Sequence, residues 1–167
     1  MDIIEVHEDL LELTSVFASD VFIDYYTALI GKAQASYMAD KFLSTNAINK
    51  LIEDGAIFKI VLDNFEPVGF TEYIKEEDKV FLSKLYVRKD KRNKGIGRFM
   101  LDDCIEYTKA NNLNKIYLTV NKGNTKTIAK YEHIGFKQID SVITDIGNNY
   151  VMDDYIMQLT LKKDSVN

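Results

Sequence analysis

The stretch Phe81–Met100, FLSKLYVRKDKRNKGIGRFM, begins as a strand and ends inside a helix, and the turn between them carries Gly95 and Gly97. Positive charge surrounds the two glycines. Arg88, Lys89, Lys91, Arg92, Lys94 and Arg98 fall within eleven residues, opposed locally only by Asp90. A helix start leaves backbone N–H groups without helical acceptors, and the helix dipole favours an anion there. Taken alone, the same pattern also describes a solvated basic loop. It constrains the fold too. A strand, a helix from about Ile96 to Asn112 and a further strand at Asn114–Asn121 call for a parallel pair joined by a right-handed crossover.

The rest of the chain surrounds this unit with elements of both kinds. Residues 2–6 read as a short strand. His7-Glu8-Asp9 opens a helix with acidic residues in its first turn, followed by an apolar stripe through Leu10, Leu11, Leu13, Val16, Phe17, Val21 and Phe22. The pattern loosens around Tyr25–Gly31. A second helical segment covers about 33–53, with a candidate break at Ser44-Thr45-Asn46 and a stop at Gly55. Extended segments follow at 56–62, 68–75 and 79–87, linked by short turns, which predicts an antiparallel meander. Beyond the crossover come a short helix at about 124–134 and strands at 136–144 and 152–161, the last two joined at Gly147-Asn148-Asn149.

The chain has 167 residues, one proline (Pro67) and no linker-like or repeated segment, so a single domain over 1–167 is expected. The formal net charge is -5. An acidic body with one basic cluster argues against general nucleic-acid binding and for a small polyanionic ligand. Cys104 is the lone cysteine, so no intramolecular disulfide can form, and its apolar helical setting reads as core. Two histidines, His7 and His133, suggest neither a metal site nor a triad, and His133 reads as a surface residue. No leader-like N-terminus and no apolar run of membrane-span length stand out, so a soluble cytoplasmic protein with no membrane partner is expected.

Three phosphate-binding patterns compete for RNKGIGRFM. A P-loop would need G-x-x-x-x-G-K-[ST], which is absent. A dinucleotide fingerprint would place a small residue where Met100 stands. The pattern R/Q-x-x-G-x-G/A fits Arg92-Asn93-Lys94-Gly95-Ile96-Gly97. With Leu85-Tyr86-Val87 before it, this resembles the pyrophosphate-binding motif of the GNAT superfamily of acetyl-CoA-dependent N-acetyltransferases. Downstream, Val120, Asn124, Tyr131, Gly135 and Phe136 keep the spacing V-x3-N-x6-Y-x3-G-F of the same superfamily. The C-terminal strand pair loosely resembles that of bacterial polyamine N-acetyltransferases.

The resemblance implies the α+β acyl-CoA N-acyltransferase fold (α/β in some schemes), a mixed sheet of about seven strands flanked by helices. It implies acetyl-CoA as cosubstrate and direct transfer to a primary amine, a polyamine or another small amine. It assigns the pantetheine arm to the backbone of Leu85, Tyr86 and Val87. The pyrophosphate falls to the N–H groups of Asn93, Lys94, Gly95, Ile96, Gly97 and Arg98, with Arg88, Lys91, Arg92 and Lys94 adding attraction. Asn124 falls to the pantetheine, with a helix N-cap as its other reading. Tyr131 becomes the acid that protonates the leaving thiolate, with a packed aromatic as its other reading. Thr127 stands where the family often has alanine. The usual strand carboxylate is missing at Leu82-Ser83-Lys84, which leaves Glu72, facing either a cleft or solvent, or a water chain as base. Asp20, Asp24, Glu53, Asp54, Asp145, Asp153 and Asp154 lie in the regions that form the acceptor wall. A protein acetyltransferase (N-terminal or side-chain) and a non-catalytic acetyl-CoA-binding module stay open, as does a homodimer.

Overall fold

Tight turns and alternating burial make the strands, and glycines and caps cut the helices. In the computed structural model, which describes residues 1–163, β1 is Asp2–Glu5, β2 Ile57–Asp63, β3 Glu66–Lys75, β4 Val80–Val87, β5 Lys115–Asn121, β6 Lys137–Gly147 and β7 Tyr150–Thr160. The helices are α1 (Leu11–Ile30, led by a 3-10 turn at Glu8–Leu10), α2 (Lys32–Leu43), α3 (Thr45–Glu53), α4 (Ile96–Ala110) and α5 (Thr125–Ile134). The strands follow the order β1-β2-β3-β4-β5-β7-β6 in a 7-stranded sheet. Among the described residues this is the expected mixed sheet with flanking helices.

The chain folds as two compact units interleaved in sequence, Met1–Ile74 with Ser83–Cys104, and Lys75–Leu82 with the chain from Ile105 onward. In the first unit, β1 pairs antiparallel with β2, and β2 with β3. The turn between β2 and β3 is tighter than the expected one. Asn64 and Phe65 take positive φ (50° and 67°), and Pro67 lies inside β3 opposite Leu62, where the register slips at Val61/Leu62. A proline is tolerated where a ladder is irregular. One face of these strands packs Val61 and Val68 against Ile96 and Met100 of α4, with Leu85 and Val87 beside them. The opposite face stacks Phe58 on Phe70 at 5.9 Å, with Phe17 edge-on to Phe70 and Phe22 edge-on to Tyr86.

Helix α1 does not loosen at Tyr25 but stays helical to Ile30, where Gly31 at φ 84° stops it. The expected break near Ser44 is present. Ser44 leaves the helical region and its hydroxyl accepts from Ala47 N at 3.2 Å, capping α3. One expectation is corrected here. The segment Glu8–Ile30 is long and apolar enough to cross a membrane by length and composition. Only Asp20 and Asp24 interrupt its last five turns, so its apolar run escapes a reading that looks for unbroken stretches. Leu11, Thr14, Ala18, Val21 and Phe22 form its buried stripe.

In the second unit, β4 and β5 run parallel, as the crossover demands, and among the described residues their ladder consists of Val80↔Ile116 and Phe81↔Tyr117. β7 pairs antiparallel with both β5 and β6. The β6–β7 hairpin turns on Asn148 and Asn149, both at positive φ, a conformation asparagine tolerates. Ile116, Leu118, Val120, Phe136, Met157 and Leu159 are buried, whereas Tyr117, Thr119 and Asn121 on the other face of β5 are half-buried. Cys104 is fully buried and His133 is exposed, as expected.

Candidate active site

The turn between β4 and α4 is built to leave donors open. Asn93 and Gly95 take positive φ (62° and 83°), which folds the chain back before Ile96 starts the helix. Phe99 N bonds Gly95 O at 3.0 Å. The N–H groups of Ile96, Gly97 and Arg98 therefore precede the first acceptor the helix can offer. Gly97 is informative because its φ is not positive. A Cβ there would meet Leu85 Cδ2 at 3.6 Å and Val87 Cγ2 at 3.9 Å, ordinary contacts. The chain itself does not demand glycine at Gly97. Gly69 is the opposite case, because its Cβ would stand 3.0 Å from Tyr86 O and 3.2 Å from Met100 Cε.

The side chains around this turn are less available than the sequence suggests. Arg88 is held by Asp90 at 2.6 Å, by Glu66 at 3.6 Å and by the Pro67 carbonyl at 3.2 Å. Its neighbours Asp90 and Glu66 hold its pKa above the usual arginine value. Lys91 faces Asp63 at 3.8 Å and Arg98 pairs with Asp102 one turn on. Arg92 turns inward. Its Nε donates to Val87 O at 3.0 Å, its guanidinium lies 5.0 Å over the Tyr25 ring, and its Nη2 is buried with no acceptor among the described residues. The fold brings Asp63 and Glu66 against a cluster that in sequence opposes only Asp90. Lys89 and Lys94 remain without an ion partner among the described residues.

On β4, Leu85 and Val87 face α4, whereas Tyr86 faces the aromatic group of α1, with its hydroxyl 2.9 Å from that of Tyr26. Glu72 is not solvent-facing. It is 1% exposed, on the face of β3 shared with Phe70, and Lys84 Nζ donates to its Oε2 at 3.0 Å. The lysine that stands where the family carboxylate is expected is the counter-ion of Glu72, a partner that twelve residues of sequence separate from it.

In the second unit, Asn124 is the N-cap residue of α5 and is 8% exposed, yet its side chain makes no cap bond. The capping alternative is therefore not realised. Tyr131 is half-buried on α5 with its ring 5.2 Å from Phe136, edge-on. The acidic residues of the expected acceptor wall separate by environment. Asp54 pairs with Lys50, Glu53 accepts from Asn49, Asp145 accepts from Gly147 N, and Asp153 pairs with Lys122 at 2.8 Å. Asp20 and Asp24 are exposed and line a groove of about 520 Å³ with Ile23, Thr27, Ala28 and Lys32. Asp154 is only 5% exposed, and its carboxyl is pushed up to about 6 by burial and by Asp153, with Lys122 opposing.

The donor set suits a diphosphate: backbone N–H groups at a helix start, an uncrowded Gly97, and Lys89 and Lys94 with no ion partner among the described residues. The model of the acetyltransferase (GNAT) family matches residues 18–136. The chain belongs to that family, whose members are N-acetyltransferases using acetyl-CoA as cosubstrate. The PaiA N-acetyltransferase of Thermoplasma acidophilum, crystallised with coenzyme A, superposes with a TM-score of 0.81 at 20% identity, over 95% of this chain and 98% of that one. A GNAT-family acetyltransferase of Staphylococcus aureus Mu50 gives 0.71 at 21%, over 96% and 99%. The ribosomal-protein-S18-alanine N-acetyltransferase of Escherichia coli gives 0.68 at 18%, over 99% and 97%. At these identities the likeness is one of fold. No curated protein sequence matches at a significant level.

Proposed function

We propose that the chain, as one catalytic domain over 1–167, transfers the acetyl group of acetyl-CoA to a small primary amine carried as a cation, polyamines being the leading class. The observation that carries the acceptor class is the groove on α1. Asp20 and Asp24, one helical turn apart, line it without an ion partner among the described residues. Unpaired carboxylates raise the local concentration of cations. On the cosubstrate side, N–H groups from Asn93 to Arg98 bind the pyrophosphate, Gly97 admits it closely, and the backbone of Leu85, Tyr86 and Val87 pairs with the pantetheine arm. Arg92 holds the turn from within instead of reaching the phosphates. Asn124 contacts the pantetheine. A neutral amine attacks the thioester carbonyl directly, and Tyr131 gives its phenolic proton to the departing sulfur, a task suited to a phenol protonated at neutral pH. The lone buried thiol, Cys104, fits a reducing compartment such as the cytoplasm.

The test is thiol release from acetyl-CoA with spermidine, spermine, simple diamines and short peptides, for the wild type and for Tyr131→Phe. Turnover on the amines, with kcat reduced about 100-fold in the variant at similar KM for acetyl-CoA, is expected. Turnover on peptides alone would replace the acceptor class. Tight acetyl-CoA binding without turnover on any amine would make the chain a binding module. An unchanged rate in Tyr131→Phe would remove its acid role.

A further inference from the structure

The tip of the β2–β3 hairpin departs from what a turn of its kind prefers. Asn64 and Phe65 occupy its two central positions, both at positive φ (50° and 67°). Asparagine is at ease there, but the second position favours glycine, and a bulky side chain at positive φ is strained. Burial does not compensate. Phe65 is 94% exposed, more than any other large hydrophobic residue described. Backbone strain and an apolar ring in water both weigh against the fold, which points to a task outside it. The hairpin is also fixed in place. Lys91 faces Asp63 at 3.8 Å, Arg88 reaches Glu66 at 3.6 Å and Pro67 O at 3.2 Å, and Arg88 N donates to Val68 O at 2.8 Å. These contacts fasten both arms of the turn to the residues that lead from β4 into the N–H groups of Asn93–Arg98. Between Arg88 and Lys91, in the 3-10 turn Lys89–Lys91, stands Lys89, exposed and with no ion partner among the described residues. The hairpin, this turn and those N–H groups all belong to the first compact unit.

We propose that Phe65 and Lys89 receive the adenosine 3′-phosphate end of coenzyme A, the ring of Phe65 stacking on the adenine and the ammonium of Lys89 attracting the 3′-phosphate. The proposal rests on the cosubstrate reading above, with the pyrophosphate at the N–H groups of the β4–α4 turn. Coenzyme A carries its adenosine directly beyond the pyrophosphate, so a ligand seated on that turn leaves a base and a further phosphate outside it. A base presents a flat π-face that stacks on an exposed aromatic ring. The 3′-phosphate is a strongly negative monoester, and a lysine ammonium meets it as a compact point charge. The hairpin supplies the ring and the 3-10 turn supplies the charge. Arg88 and Lys91, paired to Glu66 and Asp63, hold the two together and are themselves partly neutralised, which leaves Lys89 as the cation on offer. Both residues act on which form of the cosubstrate is bound, not on the transfer step.

The experiment measures, by calorimetry at one ionic strength, the binding of coenzyme A, 3′-dephospho-coenzyme A and 4′-phosphopantetheine to wild type, Phe65→Gly, Phe65→Tyr and Lys89→Gln, with a melting curve for each protein. Phe65→Gly should bind coenzyme A and its dephospho form about tenfold more weakly and leave phosphopantetheine, which lacks the base, unchanged. It should melt at the same temperature or higher, because glycine accepts positive φ. Phe65→Tyr keeps the ring and should keep the affinity. Lys89→Gln should weaken coenzyme A about threefold and leave the dephospho form unchanged. An unchanged affinity of Phe65→Gly for coenzyme A, or an equal loss on all three ligands, would overturn the role of Phe65, the second by making the residue structural. An equal effect of Lys89→Gln on coenzyme A and its dephospho form would overturn the role of Lys89. Wild-type binding of all three ligands with one affinity would overturn the proposal alone, whereas binding of none would overturn the cosubstrate reading and the proposal with it.

Discussion

Lys84 Nζ stands 3.0 Å from Glu72 Oε2 across neighbouring strands, with the two side chains only 11% and 2% exposed. Ser83 Oγ accepts a further bond from the same ammonium at 3.3 Å. Two charges withdrawn from water are held by one another, so removing either strands the other. Lys84→Met alone should lower the unfolding free energy by about 3 kcal/mol in urea titrations. Lys84→Met with Glu72→Leu should recover most of that loss, because the pair would give way to apolar packing. Turnover by the double variant within a few-fold of wild type would remove Glu72 from the chemistry.

Gly97→Ala separates fold from ligand. The new methyl meets only ordinary contacts from Leu85 and Val87, and alanine in a helix is favoured over glycine by roughly 1 kcal/mol. Thermal stability should therefore hold or rise. The affinity for coenzyme A, measured by calorimetry, should fall by about tenfold or more, equivalent to roughly 1.4 kcal/mol.

Arg92→Ala takes away the bond to Val87 O and the stacking on Tyr25. The turn loses its internal brace, and the KM for acetyl-CoA should rise several-fold with kcat less affected. Arg92→Lys should resemble the alanine variant, since an ammonium can neither stack as a plane nor reach the carbonyl in the same way.

The stability of the protein should itself report on Asp154. Its carboxyl in the fold titrates near 6, above the ordinary aspartate value of about 3.9. A group with a raised carboxyl pKa favours the protonated fold, so the protein loses stability as pH climbs from about 4 to about 6 and stays at the lower level above that. Asp154→Asn should flatten this part of the curve. Its advantage should approach about 3 kcal/mol above pH 7 and vanish below pH 4. Melting temperature against pH for both proteins is the measurement.

Local chemistry decided much of this in advance. The helix-to-strand order, the break at Ser44, the parallel crossover through α4 and the basic turn with Gly95 and Gly97 all follow from patterns confined to a few residues. Propensity, periodicity and backbone geometry act at that range, so the sequence by itself determined the fold class and, through its two motifs, the family. It also bounded the acceptor wall to a set of carboxylates without ranking them.

Only the tertiary structure ranked them. Whether a charge is available depends on which distant groups fold against it and on how much water remains. Asp63 and Glu66 approach the basic turn from the β2–β3 hairpin, Tyr25 comes from α1 to stack on Arg92, and Lys84 closes on Glu72 from the next strand. Each gives a side chain the sequence offered for binding or catalysis a partner within the fold. Asp153 and Asp154 are adjacent in sequence and chemically identical. The pleat of β7 turns one toward Lys122 and the other into a buried place without a partner, and that difference in environment, invisible in the letters, is what gives Asp154 its proton affinity.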